Sequence, residues 1–134
     1  MRLCISALLV ATFLMLAVPG FAHHSFTSFW YMDKTVEITG VVKTVKLVNP
    51  HANMTVEVTE ANGEKSVWSI TSRGSVSALR AGGWKEDTVT IGMKVRIEGN
   101  PSRKEGAKGL AAGKITKPDG SVVWFGGGGG IPQG

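Results

Sequence analysis

Residues 36–48 read Val-Glu-Ile-Thr-Gly-Val-Val-Lys-Thr-Val-Lys-Leu-Val, and this stretch decides the fold class. Val36 and Ile38 share one parity while Val41, Val45 and Leu47 share the other, so an apolar face of period two changes sides near Gly40. Alternation of this kind is the signature of a half-buried strand, and β-branched residues suit a pleated surface. A glycine at the switch predicts one long strand that bends or bulges at Gly40.

Working outward, Ala52, Met54, Val56 and Val58 alternate with Asn53, Thr55, Glu57 and Thr59, which predicts a second half-buried strand. Asn62-Gly63 is a hairpin signal because both residues tolerate positive φ, and a third strand runs through Val67, Trp68, Ser69 and Ile70. Ser75 then caps a short helix over Val76 to Ala81, with Val76 and Leu79 on one face and Gly82 or Gly83 ending it. It is the only helix the pattern predicts. A fourth strand places Met93, Val95 and Ile97 on one side and stops at Asn100-Pro101. Leu110 to Thr116 and Val122 to Phe125 form a last hairpin across Pro118-Asp119-Gly120. Strands, one short helix, then further strands is the order of a mainly β protein, a small five- or six-stranded Greek-key barrel of the oligonucleotide/oligosaccharide-binding (OB) type. A β-sandwich is the competing architecture. On this reading residues 36–125 are the barrel domain, residues 23–35 an extended N-terminal arm and residues 126–134 a flexible glycine-rich tail.

The start of the chain has a different character. After Arg2 an apolar run extends from Leu3 to Val18, followed by Pro19-Gly20-Phe21-Ala22. The run falls short of the roughly 20 residues that span a bilayer, and small residues precede His23 at the positions a signal peptidase reads. Residues 1–22 are therefore read as a secretory signal peptide cleaved before His23, which predicts a periplasmic or secreted protein with no membrane span after processing. Cys4, the only cysteine, would leave with the leader. The mature chain then has no thiolate ligand and no disulfide, so its stability rests on a hydrophobic core.

In composition the chain fits one small domain, with 134 residues, 43% apolar, 19% charged and 18 glycines. Fifteen Lys and Arg against ten Asp and Glu give a formal charge of +5, scattered along the sequence rather than gathered on one face. That distribution, together with export, argues against a nucleic-acid partner.

Several short pieces in this order resemble a known family. They are Ala22-His23-His24-Ser25-Phe26, the stretch from Gly40-Val41-Val42 to Val48-Asn49-Pro50-His51, Ser77-Ala78-Leu79 to Gly83-Trp84, Gly92 to Gly99 with Pro101, and Pro118-Asp119-Gly120. The resemblance is to the small exported bacterial proteins of domain-of-unknown-function family 6152. It covers nearly all of the mature chain and implies export and a shared fold, and it supplies no catalytic residues. The sequence departs from the family pattern in the more basic loop Asn100 to Gly106 and in the glycine tail.

Chemistry-bearing motifs are few. The glycine run at 126–130 lacks the Lys-Ser/Thr and the helix that phosphate binding needs. No Gly-x-Ser-x-Gly elbow occurs, and no carboxylate pair stands out for acid–base work, so no catalytic residue is assigned. Trp68 and Trp84 are expected to fill the core, and Phe26, Phe29, Trp30 and Tyr31 to dock the arm. The histidines carry the functional expectation. Cleavage after Ala22 would give His23 a free α-amine that titrates close enough to neutrality to yield its proton to a metal. That amine and the His23 imidazole could chelate one ion, and a remote imidazole would complete three nitrogens of the kind Cu(II) prefers. His51, held by Asn49-Pro50 at the mouth of the barrel, is the candidate third arm. His24 could supply that ligand instead, or sit in solvent. The alternative is a metal-free interaction module, in which the aromatic arm and basic Arg103-Lys104 dock an envelope protein or an anionic glycan.

Overall fold

The protein, described by a computed structural model over residues 24–126, is a closed β-barrel of five strands with one extra strand and two short helices. The elements in chain order are α1 (His24–Phe29), β1 (Val36–Lys46), β2 (Asn53–Thr59), β3 (Lys65–Ser72), α2 (Val76–Ala81), β4 (Lys94–Pro101), β5 (Gly109–Thr116) and β6 (Val122–Trp124). The strands pair in the order β3-β2-β1-β4-β5-β6, and a parallel β3–β5 pairing closes the barrel. All other pairings are antiparallel. This is the Greek-key connectivity expected of an OB-like barrel, and closure through β3–β5 rules out the two separate sheets of a sandwich.

Alternation along the strands builds one core. Met54, Val56 and Ile70 meet Val42, Val95, Ile97, Leu110, Ala112 and Ile115 inside the barrel. Each fully buried Val, Leu, Ile or Met contributes about 1.5–3 kcal/mol relative to exposure. Helix α2 adds Val76 and Leu79 to that core. Its start follows the sequence reading: the Ser75 hydroxyl accepts from the Ala78 N–H at 3.2 Å, and Gly82 closes the helix. Beyond it Trp84 is buried against Phe125, ring centroids 4.9 Å apart, and its indole N–H donates to the Trp124 carbonyl at 2.6 Å.

Several local expectations change. The apolar face of β1 switches sides at a bulge between Val42 and Thr44, not at Gly40. Ile38, Gly40 and Val42 all face inward, and Lys43 is the residue around which the strand turns over. Gly40 serves a different need: a Cβ there would collide with the Glu57 carbonyl and the Val56 side chain on β2. At the Asn62-Gly63 turn only Gly63 adopts a positive φ, of 83°. The loop is accordingly wider than a two-residue hairpin, closed by Glu60 N–H to Glu64 O and Gly63 N–H to Glu60 O.

Trp68 is half-buried rather than in the core, packed partly against it while the Lys108 ammonium stands 5.4 Å from the ring. Strand β4 continues through Pro101 instead of ending before it. Finally, the arm is not extended throughout, because residues 24–29 form a second helix that periodicity did not reveal. No helix among the described residues is long and apolar enough to cross a membrane. The predicted leader and His23 lie outside the described residues, as do residues 127–134 of the predicted tail.

Candidate metal centre

The connection between β1 and β2 carries His51 after the cis peptide bond Asn49-Pro50, and two hydrogen bonds hold it. The Asn49 side-chain oxygen accepts from the Val76 N–H at the start of α2, 3.3 Å away. Just after His51, the Ala52 carbonyl accepts from the Ser72 N–H at 2.8 Å, tying the turn to the end of β3. The loop is thus held on both sides of the imidazole by elements of the barrel, the rigid mounting a ligand residue requires.

The imidazole is half-buried. Its Nδ1 is buried and has no hydrogen-bond partner among the described residues. A buried ring nitrogen without a partner costs about 1–3 kcal/mol of unrecovered solvation, so a donor or a metal ion at that atom would be stabilising. The ring that covers His51 belongs to Phe26 of α1, centroids 6.0 Å apart and tilted by 52°. Phe26 in turn packs on Trp30 one helical turn later, centroids 6.1 Å apart.

The structure therefore brings one predicted ligand, His51, against α1, the element that begins at His24 and follows His23 in sequence. His24 is the first residue of α1. His23 lies outside the described residues, three positions before Phe26. Among the described residues no group of three or more His, Cys, Asp or Glu side chains converges.

The predicted basic surface takes another form. Arg103 turns inward along the arm: its Nε donates to the Thr27 carbonyl at 2.7 Å and the Trp30 carbonyl at 3.1 Å. Tyr31 is flanked by two cations, Lys34 at 4.2 Å and Arg103 at 4.6 Å from the ring centre. Of the arm's aromatic residues, Phe29 stays 65% exposed, whereas Trp30 docks through its backbone against Ser102. Docking of the arm by its aromatics thus holds for Phe26, Trp30 and Tyr31 and not for Phe29.

Carboxylates on the barrel face cations at other places. Glu57 lies 3.0 Å from Lys65 and 3.8 Å from Lys43, and Glu98 lies 2.9 Å from Lys114. The strongest perturbation is at Glu60, held near 2 from an ordinary 4.5 by the hydrogen bond from Lys108, then by that from Ser66. Glu57 and Asp119 are lowered as well, first by hydrogen bonds from Lys65 and Ser121 respectively.

Sequence reasoning missed Phe26 as the neighbour of His51 and Arg103 as the anchor of the arm. Phe26 stands close to His23 in the chain, but nothing local links it to a residue 25 positions later.

The model of a family described as a family of unknown function (DUF6152) matches residues 11–112. No curated protein and no solved structure matches the chain.

Proposed function

We propose that this chain, which belongs to the family of unknown function DUF6152, is an exported β-barrel protein that binds one Cu(II) at its processed N-terminus. Its ligands are the His23 α-amine, the His23 imidazole and the His51 imidazole. The observation that carries this reading is the packing of His51 on Phe26, with the buried His51 Nδ1 unpartnered among the described residues. Three positions separate His23 from Phe26, at most about 11 Å of chain, so a chain beginning at His23 starts within reach of the imidazole that Phe26 covers.

The donor set suits copper. Three nitrogens, two of them in one chelate, favour tetragonal Cu(II), and copper stands above the other first-row divalent ions in affinity for such donors. When bound, the ion would supply a Lewis-acidic centre with an exchangeable position. The chain's own residues need only hold it, so carriage or sequestration in the cell envelope is the role assigned. The apolar run before Ala22 supports the export on which the free amine depends. His24 is the competing donor for the third position, and substitution separates the two.

The test compares a protein beginning at His23 with a twin carrying one extra residue in front, each titrated with Cu(II) by calorimetry and electron paramagnetic resonance. The comparison is made with His24→Ala in both proteins, since the extra residue would otherwise make His24 the third residue of the twin and give it a Cu(II) chelate of its own. The twin then cannot form the His23 amine–imidazole chelate and should bind at least tenfold more weakly with an altered spectrum. His51→Ala in the first protein should weaken binding while leaving the barrel folded. If His24→Ala has that effect instead, the third ligand is reassigned. Equal binding by the His23 protein, its twin and both variants would overturn the copper site. The metal-free docking module, with the exposed Phe29 on the arm, would then be the better account.

A further inference from the structure

The arm is laid along the end of β4 by a continuous series of contacts. The Asn100 side-chain amide donates to the Lys34 carbonyl at 2.6 Å, and the Tyr31 N–H donates to the Pro101 carbonyl at 2.9 Å. Trp30 forms a bridge with Ser102. Arg103 closes the series, its backbone N–H donating to the Phe29 carbonyl at 2.9 Å and its Nε to the carbonyls of Thr27 and Trp30.

These carbonyls lie at the C-terminal end of α1, where the last turn of a helix has no internal donors. A cation there also opposes the negative end of the helix dipole. Six residues are too few to hold a helix alone in water, so α1 depends on contacts from outside itself. Arg103 contributes two of them, to the Phe29 and Thr27 carbonyls, and a third to Trp30 just beyond the helix. It is exposed and absent from the barrel core.

We infer that Arg103 is a positioning residue for the His51 site, fixing α1 along the end of β4 so that Phe26 rests on His51. The inference rests on the copper reading above, with Arg103 acting through α1 and not on the ion itself. It assigns the basic loop after Gly99 an inward task. Lys104, whose ammonium has no hydrogen bond or ion pair among the described residues, is the adjacent cation without that task.

The experiment uses the protein beginning at His23 with Arg103→Ala, Arg103→Lys and, as control, Lys104→Ala. Three readouts are taken: Cu(II) affinity with its paramagnetic resonance spectrum, the nuclear Overhauser contact between Phe26 and His51 in metal-free protein, and the urea midpoint of the barrel. Arg103→Ala should weaken Cu(II) binding about tenfold, broaden the spectrum and abolish the Phe26–His51 contact, with the midpoint unchanged. Lysine restores the charge but not the planar fork, so Arg103→Lys should recover only part of the affinity, and Lys104→Ala should match the parent. A parent that binds Cu(II) and an Arg103→Ala variant that binds it equally would overturn the positioning role and leave the copper site standing. A parent that binds no Cu(II) would overturn the copper site, and the Phe26–His51 contact in the metal-free variant would still decide the role of Arg103. A fall in the urea midpoint alongside the loss of binding would also overturn it, since Arg103 would then be supporting the barrel.

Discussion

The phenyl ring of Phe26 covers the imidazole of His51, centroids 6.0 Å apart, joining a short N-terminal helix to the β1–β2 connection across 25 positions of sequence. One aromatic contact thereby relates the start of the described chain to a nitrogen that has no partner among the described residues.

Removing that ring should separate binding from folding. Phe26→Ala is expected to weaken Cu(II) binding about tenfold, equivalent to about 1.4 kcal/mol, because α1 loses its seat on His51. Phe26 is half-buried and outside the barrel core, so unfolding by urea should shift by no more than about 1 kcal/mol. Calorimetric titration and the urea curve of the same preparation check both. An unchanged affinity would detach Phe26 from the site.

Gly40 tests the barrel itself. Its missing Cβ leaves room for the Glu57 carbonyl and for the Val56 side chain, which would stand only 2.6 Å away. Neither backbone of a paired strand nor a core valine moves cheaply. Gly40→Ala is expected to destabilise the protein by about 1–3 kcal/mol, read as a lower urea midpoint at constant slope. Gly63→Ala meets open space but a positive φ of 83°, so its cost should come from backbone strain and be nearer 1 kcal/mol.

Glu60 should give the protein part of its acid sensitivity. Its carboxylate is held near 2 from an ordinary 4.5, first by the Lys108 ammonium and next by the Ser66 hydroxyl. A carboxylate whose affinity for protons is lowered by folding adds stability in full above about pH 4.5, and the addition is lost as pH falls through about 2. Thermal midpoints of the wild type and Glu60→Gln should therefore differ most near neutrality and converge toward pH 2. Glu57 and Asp119 are lowered in the same direction, so the variant should keep some acid dependence of its own. Added salt should narrow the difference, since the pair is solvent-exposed. A gap that widens on acidification would contradict this sign.

How much of this was legible can be judged from particular residues. The cap of α2 was, because Ser75 and its partner Ala78 are three residues apart and the bond is local. The strands were, because alternation such as Met54, Val56 and Val58 has one physical reading wherever one face of a sheet is buried. The bulge at Lys43 was not. Both Gly40 and Lys43 could absorb the change of face, and the choice fell to the neighbouring strand, whose Glu57 carbonyl needs the space beside Gly40. The extension of β4 was hidden for a related reason. Proline marks a stop because it lacks an N–H, yet Pro101 serves the arm through its carbonyl, which accepts from Tyr31.

The sequence by itself determined a mainly β chain with a helix at Val76–Ala81, and the order of its elements favoured a Greek-key barrel over a β-sandwich, a choice the β3–β5 closure then settled. Those properties follow from contacts between near neighbours and from the two-residue period of a half-buried strand. It also singled out His51 as a residue worth locating. Only the tertiary structure decided that residues 24–29 are helical, that Arg103 bonds to their carbonyls, and that Phe26 lies on His51. A six-residue helix has too little internal stability to announce itself in a sequence. Its last turn is bonded by Arg103, 76 positions from Thr27 in sequence, so no local pattern encodes it.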